Sequence, residues 1–296
     1  MILALIESLR PRQWTKNLLL YVGAIFSQHL RDPAVLLRST AGVVVFSLLS
    51  GSVYLLNDLL DVEADRLHPK KSRRPLASGR LPVAAARVAL PVLVAGVGAA
   101  AWWLGRSFAL IAAIYLASNL AYSFWLKRHV ILDVFSIALG FVLRAIAGVE
   151  IVRAVASGVL LSPWLLVCTF FGALFLGVSK RRREMMNAGA AAVGQRAVLS
   201  LYTPELLDVM LVVSATCTLI AYALYTMWPT TVAKFHTESL LYTVPIVSYG
   251  VFRYLHLVRV SETSEDPSAV LLSDRPIQAT VALFLLVVGW ILYVGR

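Results

Sequence analysis

VYLLNDLLDVEADRLHPKKSRRPLASG, residues Val53 to Gly79, opens as the end of an apolar helix and then delivers Asn57, Asp58, Asp61, Glu63 and Asp65 within nine residues. A basic run follows at once: Arg66, His68, Lys70, Lys71, Arg73 and Arg74. On a continuous helix, Asn57, Asp58, Asp61 and Asp65 are three or four residues apart and share one face, while Glu63 points elsewhere. Like charges at that spacing repel, so the cluster is costly unless a cation sits among the acids. Oxygen-only ligands suit Mg²⁺, which takes one or two carboxylates and completes its shell with waters and substrate phosphates. Bases just beyond the acids suit the remaining phosphate oxygens. The expectation is a Mg²⁺–diphosphate site at a membrane surface.

The membrane enters through composition. The 296 residues are 59% hydrophobic and 15% charged, with mean hydropathy +0.78, whereas soluble chains are about one quarter charged. Apolar residues recur in runs of about 20, the length that crosses a bilayer core. A polytopic, all-α membrane protein follows, a single integral-membrane domain over 1–296. Met1 to Leu9 contains Glu7 and lacks a long apolar core, so no cleavable signal peptide is expected. Cys168 and Cys217 both fall inside apolar runs and read as packed thiols. The sequence has no CxxC, HExxH or GxGxxG arrangement to suggest zinc or a dinucleotide, and no nucleic-acid partner is expected.

Nine transmembrane helices are expected, at about 16–30, 34–60, 83–104, 107–126, 130–150, 159–180, 205–228, 238–258 and 276–295. Pro91, Pro163, Pro229 and Pro245 should mark kinks or ends. With that threading, 20 of the 27 Lys and Arg residues lie on the side of the N-terminus and of the segments after helices two, four, six and eight. Six lie on the other side, and Arg144 falls inside a span. Positive residues favour the cytoplasm, so the acidic motif should face the cytosol from a multi-pass protein of the plasma membrane.

The stretch Asn57-Asp58-x-x-Asp61-x-x-x-Asp65, with Arg74 to Gly79 downstream, resembles the UbiA superfamily of intramembrane prenyltransferases. The resemblance implies a helical bundle around a central cavity open to the cytoplasm, with Mg²⁺ on Asp58, Asp61 and Asp65, the catalytic set. The family's second aspartate-rich motif would follow helix six, where this chain has Ser179-Lys180-Arg181-Arg182-Arg183-Glu184, one acid and four bases. Bases there favour a second anion over a second metal.

Stretches at 10–17, 115–127, 143–148, 180–184 and 265–275 are similar to the superfamily's polyprenyl-phosphate phosphoribosyltransferase branch. That branch implies 5-phosphoribosyl 1-diphosphate as donor and a polyprenyl (decaprenyl) phosphate lipid as acceptor, a precursor step toward arabinose donors for cell-wall polysaccharide. Two other classes were weighed. An aromatic prenyltransferase of quinone biosynthesis is disfavoured by the missing second aspartate motif. A transporter or flippase is disfavoured because charges gather at one membrane face rather than at the midplane.

Each candidate has a plainer reading. Arg66, Lys71 and Arg74 could be a topogenic loop touching anionic lipid; the substrate reading makes Lys71 and Arg74 phosphate ligands, with Arg66 beside them and Asn57 either ligating the metal or on a donor hydroxyl. Lys180 and Arg181 are expected to bind phosphate, with Glu184 orienting them or a metal-bound water, and Arg182 and Arg183 to be surface residues. Arg144, costly inside a span, would either hold an anion or pair with Asp133 or Glu150. Tyr122 and Lys127 are further substrate-binding candidates, as is Lys16 beside Arg10, Arg12 and Asn17 on the N-terminal arm. Trp14, Trp102 and Trp103 read as interfacial anchors. Chain length of the lipid and oligomeric state are open.

Overall fold

The computed structural model describes residues 1–69, 71–156, 158–188, 197–260 and 273–294. Lys70, Arg196, Arg296 and the 265–272 part of the resemblance fall outside them. The described residues form helices and turns with no strand. The α-helices are α1 (Ile2–Ser8), α2 (Tyr21–Phe26), α3 (Pro33–Leu60), α4 (Val62–Leu67), α5 (Val83–Leu104), α6 (Arg106–Phe124), α7 (Leu132–Arg153), α8 (Pro163–Ala188), α9 (Pro204–Met227), α10 (Pro229–Phe235), α11 (Val244–Val260) and α12 (Arg275–Tyr293).

Among the described residues, seven helices are long and apolar enough to cross a membrane: α3, α5, α6, α7, the Pro163–Met186 part of α8, α9 and the Arg275–Leu292 part of α12. Where the other two spans were expected, about 16–30 and 238–258, the chain forms shorter pieces. The first is a 3₁₀ helix, Pro11–Leu20, running into α2. The eighth is a 3₁₀ turn, Ser239–Thr243, running into α11.

Helix starts follow local chemistry. Asp32, Thr203 and Asp274 cap α3, α9 and α12, accepting from Ala34, Leu206 and Ile277 backbone N–H groups, each with Pro just inside the start. Pro163 and Pro229 open helices as expected, and Pro245 is the second residue of α11. Pro91 lies inside an unbroken α5.

The chain divides into two compact units, Met1–Phe124 with Leu143–Leu160, and Trp125–Val142 with Leu161–Arg296. In the first unit, Leu20, Phe46, Leu49, Val97, Phe108 and Tyr115 share a core. Phe46 sits 5.5 Å from Phe108 and 5.3 Å from Tyr115 between ring centroids. Lipid tails are as apolar as leucine, so packing, not transfer out of water, selects such an interface. Small residues on α3 permit close approach: Gly42 lies against Ile151 and Leu20, and Gly51 against Leu9.

A second cluster in this unit gathers Ala4 and Leu9 of the N-terminal arm, Leu55 of α3, and Leu76 and Leu81 of the basic loop. Leu76 and Leu81 are buried, so the loop carrying Arg74 is pinned by one leucine within Arg74–Gly79 and one just beyond it. The second unit packs Val134, Phe175, Val178, Tyr202, Leu207, Leu211 and Tyr254. Cys168 and Cys217 are both free and half-buried there.

Candidate active site

The acidic motif spans a helix junction. Asp61 ends α3 and precedes α4 with φ −100° and ψ 8°, so the helix does not continue to His68. Asp58 and Asp65 are turned inward, 2% and 3% exposed. Asn57 is half-buried, and Asp61 and Glu63 are exposed. The single shared face expected for all the aspartates is corrected to a buried pair with Asp61 outside it. Among the described residues no three acids, histidines or cysteines group closely enough to hold a metal by themselves.

Two guanidinium groups meet the buried pair. Arg74 Nη1 donates to Asp65 Oδ2 at 2.5 Å and to Asp58 Oδ1 at 3.2 Å. Arg10 Nη2 donates to the same Asp58 Oδ1 at 2.6 Å. The loop that delivers Arg74 is fixed by Leu81 N–H to Pro75 O at 2.9 Å and by Gly79 at φ 77°. Arg10 is delivered by a left-handed backbone, φ 52° at the head of the 3₁₀ helix, a conformation that costs a non-glycine residue roughly 1–2 kcal/mol. Its guanidinium also stacks over Tyr54, 4.6 Å from the ring centroid. Sequence reasoning named Arg10 only as part of the arm and did not single out Tyr54. The position of Tyr54 one turn before Asp58 on α3 was the available signal.

Lys71 opens a short 3₁₀ turn, its N–H donating to His68 Nδ1 at 3.3 Å. Arg66 pairs with Glu63 at 3.0 Å on the surface.

Inside the first unit, Arg144 is 7% exposed. Its Nε donates to Asn17 Oδ1 and its Nη2 to Tyr115 OH, both at 2.7 Å. Asn17 Nδ2 in turn donates to Ser47 Oγ at 3.0 Å. The acids suggested as partners for Arg144 have other engagements: Glu150 accepts from Arg153 at 2.5 Å, and Asp133 belongs to the second unit's cluster. Lys16 and Tyr122 are half-buried in the same unit. Trp14 is also half-buried, its Nε1 donating to Leu9 O, so it packs within the arm. Trp102 and Trp103 are exposed.

In the second unit, Arg181 is 1% exposed and lies between two acids, Nε on Asp133 Oδ2 and Nη1 on Glu184 Oε2, each at 2.6 Å. Tyr202 OH donates to Asp133 Oδ1 at 2.6 Å and accepts from Ile131 N–H at 2.7 Å. Burial first, then that bond to Asp133, pushes the Tyr202 hydroxyl above its ordinary value and keeps it a donor. Arg181, expected to hold phosphate, is thus occupied by carboxylates, with Glu184 orienting it. Arg182 and Arg183 are corrected from surface residues: Arg182 pairs with Asp208 at 2.9 Å, and the buried Arg183 donates to Leu257 O at 2.7 Å. Lys127 and Lys180 are half-buried.

A helical membrane protein with a buried carboxylate pair clasped by arginines at the end of an apolar span is the class defined so far. The UbiA prenyltransferase family model matches residues 18–274, and the chain belongs to that family. It is 32% identical over 300 residues to decaprenyl-phosphate phosphoribosyltransferase of Mycolicibacterium smegmatis, covering 98% of this chain and 92% of the relative. Its identity to the protein of the same name from Corynebacterium glutamicum is 33% over 304 residues, covering 98% and 87%. A UbiA homolog from Archaeoglobus fulgidus, solved with DMAPP and Mg²⁺, shares the fold at TM-score 0.73 and 21% identity, covering 98% of this chain and 99% of that one.

Proposed function

We propose that the chain transfers 5-phosphoribose from 5-phosphoribosyl 1-diphosphate to a polyprenyl phosphate, releasing diphosphate. The observation that carries this reading is the convergence of Asp58, Asp65, Arg74 and Arg10 at the end of α3, in a chain similar over its full length to relatives named for that transfer.

The residues suit Mg²⁺. Two carboxylates that meet on one cationic nitrogen, with exposed Asp61 near them in sequence, match a metal that takes one or two carboxylates and leaves room for water and phosphate. Asp58 and Asp65 would hold it directly, and Asp61, exposed beside them, would join by turning inward or through a water. When bound, the metal supplies neutralising charge for the diphosphate leaving C1 of the ribose. Arg74 and Lys71 bind the diphosphate's outer oxygens, and Asn57 orients the donor through a hydroxyl. Arg66, Lys16, Tyr122, Lys127, Arg144 and Lys180 are the remaining substrate-binding residues, with Arg181 and Glu184 supporting from the buried ion pair.

A phosphate oxygen of the lipid bonds to C1 as the C1–O bond to diphosphate breaks. Because the acceptor is already an anion, no general base is needed. Attack opposite the leaving group inverts C1 through an oxocarbenium-like transition state.

Nine crossings accommodate this chemistry. A 3₁₀ helix rises about 2.0 Å per residue and an α-helix about 1.5 Å, so end to end Ser239–Val260 would reach roughly 36 Å, enough for the bilayer core of about 30 Å, and Lys16–Phe26 roughly 19 Å, leaving the rest of the first crossing to the turn that follows. The excess of Lys and Arg on the motif's side orients it toward the cytosol, where a soluble phosphorylated donor resides. The lipid tail would lie in a cavity open between helices. The reading is tested by incubating the purified protein with Mg²⁺, labelled phosphoribosyl diphosphate and polyprenyl phosphate. Label entering the lipid extract supports it, and an unlabelled extract overturns it.

A further inference from the structure

Resting on the reading of this site as a metal–diphosphate site, we infer that Arg10 is a diphosphate-binding residue that also competes with the metal for Asp58, exchanging the carboxylate for the anion when both ligands bind. Asp58 Oδ1 receives two guanidinium nitrogens, and Arg10 is the nearer at 2.6 Å against 3.2 Å for Arg74. Two buried carboxylates and two guanidinium groups sum to zero charge. A divalent cation added to that set leaves it with two excess positive charges, which a multiply charged diphosphate anion offsets. Metal and anion therefore favour each other, and the exchange needs a cation able to serve either partner.

Arg10 is placed for that. Its side chain is 31% exposed, so the guanidinium faces Asp58 on one side and is open on another. Among the described residues only Nη2 of its three nitrogens donates a hydrogen bond. Tyr54 holds the planar group from its face and leaves the in-plane N–H groups for oxygens.

The residues around Arg10 keep its base fixed while its head exchanges partners. Leu9 packs against Gly51 of α3, where a Cβ would collide with it. Glu7 accepts two hydrogen bonds from Arg80, at 2.6 and 2.9 Å, and Arg80 also donates to Arg73 O at 2.9 Å. That clasp ties the arm carrying Arg10 to the loop carrying Arg74. Glu7 and Arg80 are positioning residues; Arg10 is the one that meets the ligand.

The test uses the full chain in lipid nanodiscs, with Mn²⁺ as a spectroscopic stand-in for Mg²⁺ and inorganic diphosphate as the anion, and it reads binding rather than turnover. Arg10→Ala should tighten Mn²⁺ binding in the absence of diphosphate and weaken diphosphate binding at saturating Mn²⁺, each on the order of ten-fold, as loss of one charged hydrogen bond implies. Arg10→Lys, which keeps the charge and loses the planar fork, should fall between Arg10→Ala and the unaltered protein. Glu7→Gln should move both affinities in the same two directions by less. Both affinities falling together in Arg10→Ala and Arg10→Lys would mean a structural role and overturn the inference, as would no change in either. Opposite shifts in a protein that makes no ribosylated lipid would uphold Arg10 and reject the proposed transfer. No Mn²⁺ binding by the unaltered protein would overturn both.

Discussion

Asp58 and Asp65 are kept from water in the company of Arg10 and Arg74, an arrangement that neutralises them and that a metal must partly displace. Asp58→Asn removes the charge and keeps the shape, so it should lower kcat/KM by on the order of 100-fold or more, the scale of losing one electrostatic stabiliser. Asp61→Asn should cost less and raise the Mg²⁺ concentration needed for half-activity. Full activity of Asp61→Asn at unchanged Mg²⁺ dependence would remove it from the metal set. The residue types were legible from spacing alone, but the division into two buried aspartates and one exposed was not. It depends on Arg74, whose loop is set by leucines packing elsewhere.

Arg181 shows the reverse difficulty. Its sequence neighbours look like a phosphate cradle, yet its partner Asp133, and Tyr202 which donates to that acid, lie 48 and 21 residues away. Arg181→Met strands a buried Asp133 and should lower stability by roughly 3–5 kcal/mol, against about 1–3 kcal/mol for Tyr202→Phe, which leaves Asp133 short of one donor and the Ile131 N–H without this acceptor. Thermal unfolding in nanodiscs measures both. An Arg181→Met protein with an unchanged midpoint but poor donor affinity would return Arg181 to the substrate.

The helices themselves were largely written in hydropathy. Seven expected spans stand as long helices, and the two that do not begin in tighter 3₁₀ backbone, which a hydropathy window cannot distinguish from α-helix. The junction at Asp61 was also hidden, because no glycine or proline marks it. Helix packing left a clearer trace in small residues. Within the first unit, a Cβ on Gly148 would meet the Leu20 carbonyl, and one on Gly23 would meet the Gly148 carbonyl. Backbone on both sides cannot yield as a flexible side chain would. Gly148→Ala and Gly23→Ala should each destabilise the fold by about 1–3 kcal/mol. Gly96→Ala, with nothing within 4 Å of its Cβ, should be neutral or stabilising by up to about 1 kcal/mol. Equal unfolding midpoints for Gly96→Ala and Gly148→Ala would contradict this packing.

For the molecule as a whole, family membership and the asymmetry of Lys and Arg give a multi-pass membrane protein whose site is proposed to face the cytosol. Single cysteines at exposed Ser78 and Ala233, in a background without Cys168 and Cys217, should react with a membrane-impermeant maleimide from opposite sides, Ser78→Cys from the cytosol. Labelling of both from one side would refute nine crossings with this threading.

The acid-to-base change after Ser179 first suggested two phosphorylated substrates instead of one. The most direct measurement offers the purified protein both substrate pairs under one condition with Mg²⁺: labelled phosphoribosyl diphosphate with polyprenyl phosphate, and prenyl diphosphate with 4-hydroxybenzoate. One diphosphate should be released for each ribosylated lipid formed, with both slowed about 100-fold or more by Asp58→Asn, and no prenylated aromatic product should appear. A prenylated aromatic acid with the polyprenyl phosphate left unlabelled would contradict it.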